Sequence, residues 1–308
     1  MIAARVSVGV PVFNLERTLP RALDSILGQT FGDFELLVFD NASTDGTEAI
    51  CRRYAGMDAR VNYVRHPVTV PAFENFRSVL AAARAPYFMW LAADDYALPQ
   101  LLERATAALD GHPDVVCAAP RVEFVAADGR RKTAAGSFAL LGGVRENLWQ
   151  YLRDPLDNSR FYGLYRRDVV RRVFPKSPSY GFDWAIAAGT LLYGKHAELA
   201  DILLVREASD PLKYMRMIDD LAPNRLARLL PLAPFTRTVL VDLKVAPRPR
   251  TLYALLRINA IHHVLYSRYR YPRYGRLLYR VALILEQLGC GGARRFTRAL
   301  PGRRRAGP

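Results

Sequence analysis

Apolar residues in the first hundred positions follow two rhythms. Arg5–Val12 (RVSVGVPV) is β-branched and almost continuously apolar, the pattern of a strand covered on both faces. Arg17–Leu27 spaces Leu19, Ala22, Leu23, Ile26 and Leu27 along one helical face. The alternation then repeats: Phe34–Phe39 reads as a strand closed by Asp40, Thr47–Tyr54 as a helix and Val61–Arg65 as a strand. Phe73–Ala83 is helical by pattern, and Tyr87–Leu91 (YFMWL) is a strand that runs out at Asp94-Asp95. Pro99 stands where a helix would start, and Gln100–Leu109 supplies it. The order βαβαβαβα predicts an α/β fold, a doubly wound, mostly parallel, Rossmann-like sheet.

Beyond residue 110 the rhythm changes. Val115–Ala119 and Val122–Val125, with a turn at Asp128-Gly129, suggest further β-structure. Arg145–Leu152 is expected to be helical, Phe161–Tyr165 extended, Trp184–Tyr193 helical and Ala197–Val205 a strand. From Asp210 onward helices are expected between prolines at 223, 231, 234, 247, 249 and 272, ending in a disordered tail, PGRRRAGP. No internal repeat is seen.

Composition narrows the class. At 51% hydrophobic and 24% charged, the 308 residues are globular rather than disordered. Apolar runs as short as Val281–Leu285 exclude a spanning helix, and MIAARVSVGVPVF lacks the layout of a secretory signal. Cys51, Cys117 and Cys290 are too few and too scattered for a disulfide framework or a cysteine zinc site, which fits a reducing cytoplasm. The five histidines show no ligand spacing; His66, His112 and His196 fall at expected loops or strand edges. Charge divides the chain: residues 1–209 carry 24 basic and 24 acidic side chains, residues 210–308 carry 20 and 5, so the whole +15 lies in the last third.

In an open parallel sheet, ligands bind beyond the carboxyl ends of the strands. The first strand ends in Pro11-Val12-Phe13-Asn14, the second in Asp40-Asn41-Ala42-Ser43-Thr44-Asp45-Gly46, and the fourth in Asp94-Asp95. No Gly-x-Gly-x-x-Gly follows the first strand and no P-loop occurs, so dinucleotide and P-loop folds are poor readings. Adjacent carboxylates stay ionised together only with compensation. A divalent cation with oxygen ligands, Mg²⁺ or Mn²⁺, is the usual one. Read alone, Asp94-Asp95 also suits a solvated turn before the Pro99 helix, and Asp40 suits turn chemistry.

VSVGVPVFN, FELLVFDNASTDGT and YFMWLAADDYALP, in this order and spacing, resemble the family 2 inverting glycosyltransferases of the GT-A fold. The likeness runs through residues 5–110 and more loosely to about 206. Asn75-Phe76-Arg77 and Tyr87–Leu91 resemble the branch acting on bacterial surface polysaccharides. The resemblance implies a nucleotide-diphosphate-sugar donor, UDP- or dTDP-linked by preference, and a glycan or lipid-linked acceptor. Backbone groups at Pro11, Val12, Phe13 and Asn14 and the Asp40 carboxylate would hold the base. Asp94 falls on the last acid of the family's Asp-x-Asp motif and would ligate Mn²⁺ or Mg²⁺ on the diphosphate, with Asp95 as a second candidate. Ala92 replaces the motif's first acid. Asp183, in Tyr180-Gly181-Phe182-Asp183-Trp184, matches the family's general base. As a helix N-cap it would also be kept ionised. Arg206 matches an arginine that faces phosphate, although the histidine that often follows two places later is Ala208; a surface salt bridge is the competing reading.

These readings divide the chain into a GT-A domain, 1–209, and a basic helical region, 210–308. Within the first, 1–110 is the nucleotide-sugar half and 111–209 the acceptor half. Tyrosine and arginine interleaved in YSRYRYPRYGRLLYR (266–280), beside a Leu277/Val281/Ile284/Leu288 stripe, fit peripheral contact with an anionic leaflet. Two alternatives stand: a catalytically inactive sugar-nucleotide binder, made conceivable by Ala92, and a nucleic-acid-binding protein using the basic third. The chain carries no helix-turn-helix, finger or RNP signature, so no nucleic acid is expected.

Overall fold

The structure is a computed structural model that describes residues 4–153, 155–178, 180–207, 218, 228, 230–271 and 273–274. The first half follows the expected alternation: β1 (Val6–Val12), α1 (Leu19–Leu27), β2 (Phe34–Asp40), α2 (Thr47–Met57), β3 (Val61–Arg65), α3 (Ala72–Ala82) and β4 (Tyr87–Trp90). Every residue of β1 and β4 is buried, as continuous apolar runs require. A two-residue strand, β5 (Tyr96–Ala97), follows, then α4 (Leu101–Gly111) and β6 (Val115–Val125). The described elements continue with β7 (Arg131–Thr133), α5 (Val144–Arg153), a 3₁₀ turn (Ser159–Tyr162), β8 (Leu164–Arg166), α6 (Arg167–Val173), α7 (Phe182–Thr190) and β9 (Lys195–Glu207). Then come α8 (Ala233–Arg237), a π-helical turn (Thr238–Asp242) and α9 (Pro249–Arg270), with proline in the first turn of both helices.

One sheet collects the strands in the order β3-β2-β1-β4-β8-β6-β9-β5, with β7 added to β6. The long pairings, β1 with β2 and β4, β2 with β3, and β6 with β9, are parallel; the antiparallel ones span two or three residues. The chain leaves β1 toward β2 and β3, then returns to β4 on the other side. The carboxyl ends of β1 and β4 therefore form a switch point where a ligand can enter between diverging loops.

Three departures from the sequence expectations have physical causes. The two strands expected at 115–125 are one strand, because its register slips against β9 at Ala119/Arg121 absorb Pro120 as a bulge. The strand expected at 161–165 splits into the 3₁₀ turn and β8 because Trp90 stacks on Phe161, with ring centroids 4.9 Å apart. Helix α7 starts two residues before Trp184, since Gly181 adopts φ +81° at its N-cap; a Cβ there would lie 2.9 Å from Leu232.

Helices α8 and α9 do not stand apart from the catalytic-looking half. Ala254, Leu255 and Ile258 of α9 and Phe235 of α8 share one buried cluster with Tyr151 and Leu152 of α5 and Ala185, Ala187 and Ala188 of α7. No described helix is long and apolar enough to cross a membrane. The Leu277/Val281/Ile284/Leu288 stripe, Arg276, Cys290 and the tail lie outside the described residues.

Candidate functional site

The loop after β1 is sewn to the loop after β2 by the side chains of the DNASTDGT segment. The Asn14 amide donates to Ser43 Oγ (3.0 Å), Leu15 N–H to Thr47 Oγ1 (3.1 Å) and Glu16 N–H to Asp45 Oδ2 (3.1 Å). Return bonds run from Thr44 N–H to Asn14 Oδ1 (2.8 Å) and from Gly46 N–H to Glu16 (2.6 Å). Asn41 exchanges a pair of 2.8 Å bonds with the Val70 backbone and fixes the loop before α3. Much of this segment is therefore scaffold for the floor of a cleft. A cavity of about 640 Å³ opens beside that floor, lined by Asn14–Thr18, Arg21, Asp45 and Glu207. Of the candidates, Asn14 alone lines it. Pro11 and Val12 are buried in β1, whereas Phe13 shows its ring to solvent.

Asp40 differs from the expectation of a carboxylate presented to a base. Its side chain is fully buried. Oδ1 accepts the Ser43 N–H (2.8 Å), and Oδ2 accepts the Tyr63 hydroxyl (3.0 Å) and the Arg65 guanidinium. Burial works against its charge, yet the bonds from Ser43, Tyr63 and Arg65 outweigh it and hold the carboxyl below the usual range. Arg65, which also faces Glu48 and the Ser43 carbonyl, is the partly exposed edge of this corner.

The Asp94-Asp95 doublet splits. Asp94 stays partly exposed. Asp95 is buried and turns toward the end of β9, where Arg206 Nε (2.9 Å) and the Glu207 amide (3.2 Å) occupy its two oxygens. Burial pushes the Asp95 carboxyl up to about 6, against the pull of Arg206. Asp95 is thus not a second open ligand beside Asp94, and the charge that compensates the doublet is an arginine. Nor is Arg206 in a surface salt bridge: its guanidinium is buried, 4.2 Å over the Tyr162 ring, with a 3.3 Å bond to the Tyr162 hydroxyl. Arg21 adds a second tie, donating to the Asp94 carbonyl (3.1 Å) and to Glu207 (2.7 Å). Among the described residues no group of three His, Cys, Asp or Glu gathers as a metal cage.

Asp183 is not the N-cap of α7, a place taken by Gly181, but lies in the first turn. Burial raises its carboxyl above the usual range, while Asn158 and the Trp184 amide pull it down. The N-cap expectation of a depressed carboxyl is therefore reversed. Asn158 Nδ2 donates to Asp183 Oδ2 at 3.0 Å, and Arg206 acts on Asp183 through its charge. On one side Phe182 joins a ring cluster with Phe73, Phe76 and Phe161; on the other Trp184 stands edge-on to His262 (4.9 Å) and Phe235 (6.2 Å). Asn158 and Tyr162 were not found by sequence reasoning, because a loop asparagine and a core tyrosine carry no spacing signal. His196 is likewise no strand-edge residue: it is buried in β9 between Arg160 (3.3 Å) and Thr190 (3.0 Å).

Parallel strands ending in a floor of stitched loops, with an acidic doublet at the switch point, define a GT-A-type nucleotide-sugar fold. The sequence profile of glycosyl transferase family 2 matches residues 7–174, more than half of the chain, and the protein belongs to that family. Curated relatives include EpsE of Bacillus subtilis, a glycosyltransferase by provisional name, 33% identical over 109 residues (35% of this chain, 39% of EpsE). The glycosyltransferase GlyA of Streptococcus pneumoniae is 38% identical over 64 residues (21% of this chain, 9% of GlyA). The chain thus spans well under half the length of these relatives. Among solved structures, S. aureus TarS 1–349 in complex with UDP-GlcNAc aligns with a TM-score of 0.55 at 17% identity, over 86% of this chain and 91% of that one. The mannosyltransferase PcManGT of Pyrobaculum calidifontis, in complex with GDP-Man and Mn²⁺, aligns at 0.52 and 17% over 96% and 85%. At such identities the likeness shows the fold alone.

Proposed function

We propose that the protein transfers a sugar from a nucleotide-diphosphate sugar to a hydroxyl of a glycan or lipid-linked acceptor, with inversion, in the building of a cell-surface polysaccharide. The observation that carries the reading is Arg206, which binds Asp95, the neighbour of Asp94, and acts through its charge on Asp183. Residues 1–110 would hold the donor and 111–209 the acceptor, with 210–308 as a basic helical region. The donor's base would lie at the ends of β1 and β2, over the backbone of Pro11–Asn14 and the exposed Phe13 ring. In this reading Asp40 acts on the base only through Arg65 and the Ser43 loop, which it holds in place from beneath.

A divalent cation fits the residues present in one particular mode. Asp94 gives one partly exposed carboxylate and Asp95 is committed to Arg206, so the remaining oxygen ligands would come from the donor's diphosphate and water, as is usual for Mg²⁺. When bound, such an ion offsets the charge of the departing diphosphate. The chain's own residues carry the other requirements. Asp183 accepts the proton of the acceptor hydroxyl as it attacks the sugar's C1 from the face opposite the diphosphate. Its raised carboxyl is the better suited to that task, since a base works best near the operating pH. Arg206 and Arg21 hold the Asp94 loop in place through Asp95 and the Asp94 carbonyl.

The reading extends to the membrane surface. Helix α9 contains no acidic residue and leaves Leu252, Tyr253 and Leu256 exposed beside Arg250. A lipid-linked acceptor at an anionic cytoplasmic leaflet would meet such a face.

The test is a thermal-shift panel of UDP-GlcNAc, dTDP-glucose and GDP-mannose, each with and without Mn²⁺. One donor is expected to raise Tm more with Mn²⁺ than donor and metal do separately. At a hundredfold excess over Kd the stabilisation is about 2.7 kcal/mol. Asp94→Asn should lose the metal-dependent part. Donor stabilisation without turnover on any acceptor would favour an inactive binder, whereas binding of random-sequence RNA with no donor effect would overturn the reading.

A further inference from the structure

The six residues Asp157–Tyr162 reach two members of the candidate site: Asn158 bonds to Asp183, and Tyr162 lies under Arg206. Asn158 is 1% exposed and holds the left-handed backbone conformation, φ +50°, that asparagine tolerates better than most residues. The turn is fixed from outside. Asp157 accepts the amides of Ala135 (2.8 Å), Gly136 (3.0 Å) and Ser159 (3.1 Å). Gly136 lies so close that a Cβ there would be 2.7 Å from the Asn158 amide nitrogen. At its far end, Tyr162 supports Arg206.

The hydrogen bonds give this contact a direction. An ionised Asp183 can only accept, so the Asn158 NH₂ must face it and the Asn158 carbonyl must face away. That carbonyl oxygen meets the Tyr151 hydroxyl at 2.8 Å, nearer than the hydroxyl's other acceptor, the Trp184 carbonyl at 3.3 Å. Tyr151 is fully buried on α5, and burial holds its phenol proton well above the ordinary tyrosine range, so it serves as a fixed donor. Reading outward from α5, Tyr151 O–H donates to Asn158 Oδ1, and Asn158 Nδ2–H donates to Asp183 Oδ2. A chain of this polarity favours the anion of Asp183 over its acid.

We infer that Asn158, oriented by Tyr151, is the positioning residue that aims the Asp183 carboxylate and keeps it ready to accept a proton. The inference rests on the reading of Asp183 as the base. Asn158 itself need touch no substrate. The other charged group acting on Asp183 is Arg206 from β9, which the two substitutions below leave in place.

The test uses the full chain labelled with ¹³C at the aspartate side-chain carboxyls, the Asp183 signal being the one lost in Asp183→Asn. Asn158→Gly keeps the left-handed backbone without strain while removing the amide. Tyr151→Phe keeps the ring and removes only the hydroxyl. The Asp183 titration midpoint should rise in Asn158→Gly and, by less, in Tyr151→Phe. In the same proteins kcat for the donor found in the panel should fall by about ten- to a hundredfold for Asn158→Gly, the scale of one lost hydrogen bond to a charged group, with KM for that donor held within about twofold. If Asn158→Gly fails to fold, Tyr151→Phe decides alone. A folded Tyr151→Phe protein with an unmoved Asp183 midpoint and wild-type kcat overturns the inference. Wild-type turnover by Asp183→Asn would instead remove the base assignment, a separate outcome that the titration does not mimic.

Discussion

Asp183→Asn should lose activity and gain stability at neutral pH, a combination that separates a base from an ordinary structural aspartate. The substitution is nearly isosteric, and its carbonyl can still accept from Asn158 Nδ2, which lies 3.0 Å from the native carboxylate. A lost general base lowers kcat by about 10²–10⁴, and donor binding should stay within a few fold because the proposed reading gives Asp183 no part in holding the nucleotide. Stability has its own sign. The folded state carries this carboxyl above the usual range because burial outweighs the Asn158 and Trp184 bonds. Between the unfolded and folded midpoints folding therefore takes up a proton, and stability declines as pH rises through that window. Asparagine does not titrate. The Tm of the variant should match wild type well below the carboxylate range and exceed it at neutral pH, each 1 kcal/mol reading as about 2 °C in a chain of this size. The assay is calorimetry at several pH values beside donor turnover. Near-normal turnover would refute the base assignment, and a Tm difference that ignores pH would refute the energetic argument.

Two further outcomes follow from the same geometry. Asp95→Ala should lower stability by about 3–5 kcal/mol, since it strands the buried Arg206 charge, whereas Asp94→Asn should leave Tm in the absence of ligand nearly unchanged; urea unfolding of both variants checks the contrast. The protein should co-sediment with anionic vesicles and be released by salt, and Leu252→Ser/Leu256→Ser with Arg250→Glu should weaken that binding while the buried face of α9 stays intact; equal binding by this variant would end the docking reading.

The first half of the fold was legible because its strands are buried on both faces and its helices on one. Continuous runs such as FELLVF and one-sided stripes such as Leu19/Ala22/Leu23/Ile26 admit few other arrangements. The second half was less legible, for a reason visible at Phe161. That residue has good strand propensity, but stacking on Trp90, 71 positions earlier, turns it into a 3₁₀ corner. Site residues divide in the same way. The positions of Asp40, Asp94 and Asp183 follow from strand ends and a helix start. Their orientations depend on partners far off in sequence: Tyr63 and Arg65 draw Asp40 inward, and Asn158 reaches Asp183 from a turn with no pattern of its own.

The Asp94-Asp95 doublet shows how two adjacent acids come to opposite surroundings, one buried and one partly exposed. Two adjacent carboxylates at a sheet edge repel, and a cation must answer one of them. Here β5 pairs with β9, Tyr96 opposite Val205 and Ala97 opposite Leu204, which brings Arg206 and the Glu207 amide onto Asp95. Asp94 sits one place earlier, in the turn that the Asp95 N–H closes on the Ala92 carbonyl (3.0 Å), and stays partly exposed. Arg206 thereby neutralises the inner acid and fixes the outer one with the same bond, and Arg21 grips the Asp94 carbonyl from α1. In the proposed reading Asp94 offers a cation one carboxylate, and the donor's phosphates would supply further ligands. With Ala92 in place of an acid, metal and donor are expected in this reading to bind together, which the Mn²⁺-dependent part of the donor's thermal shift reads.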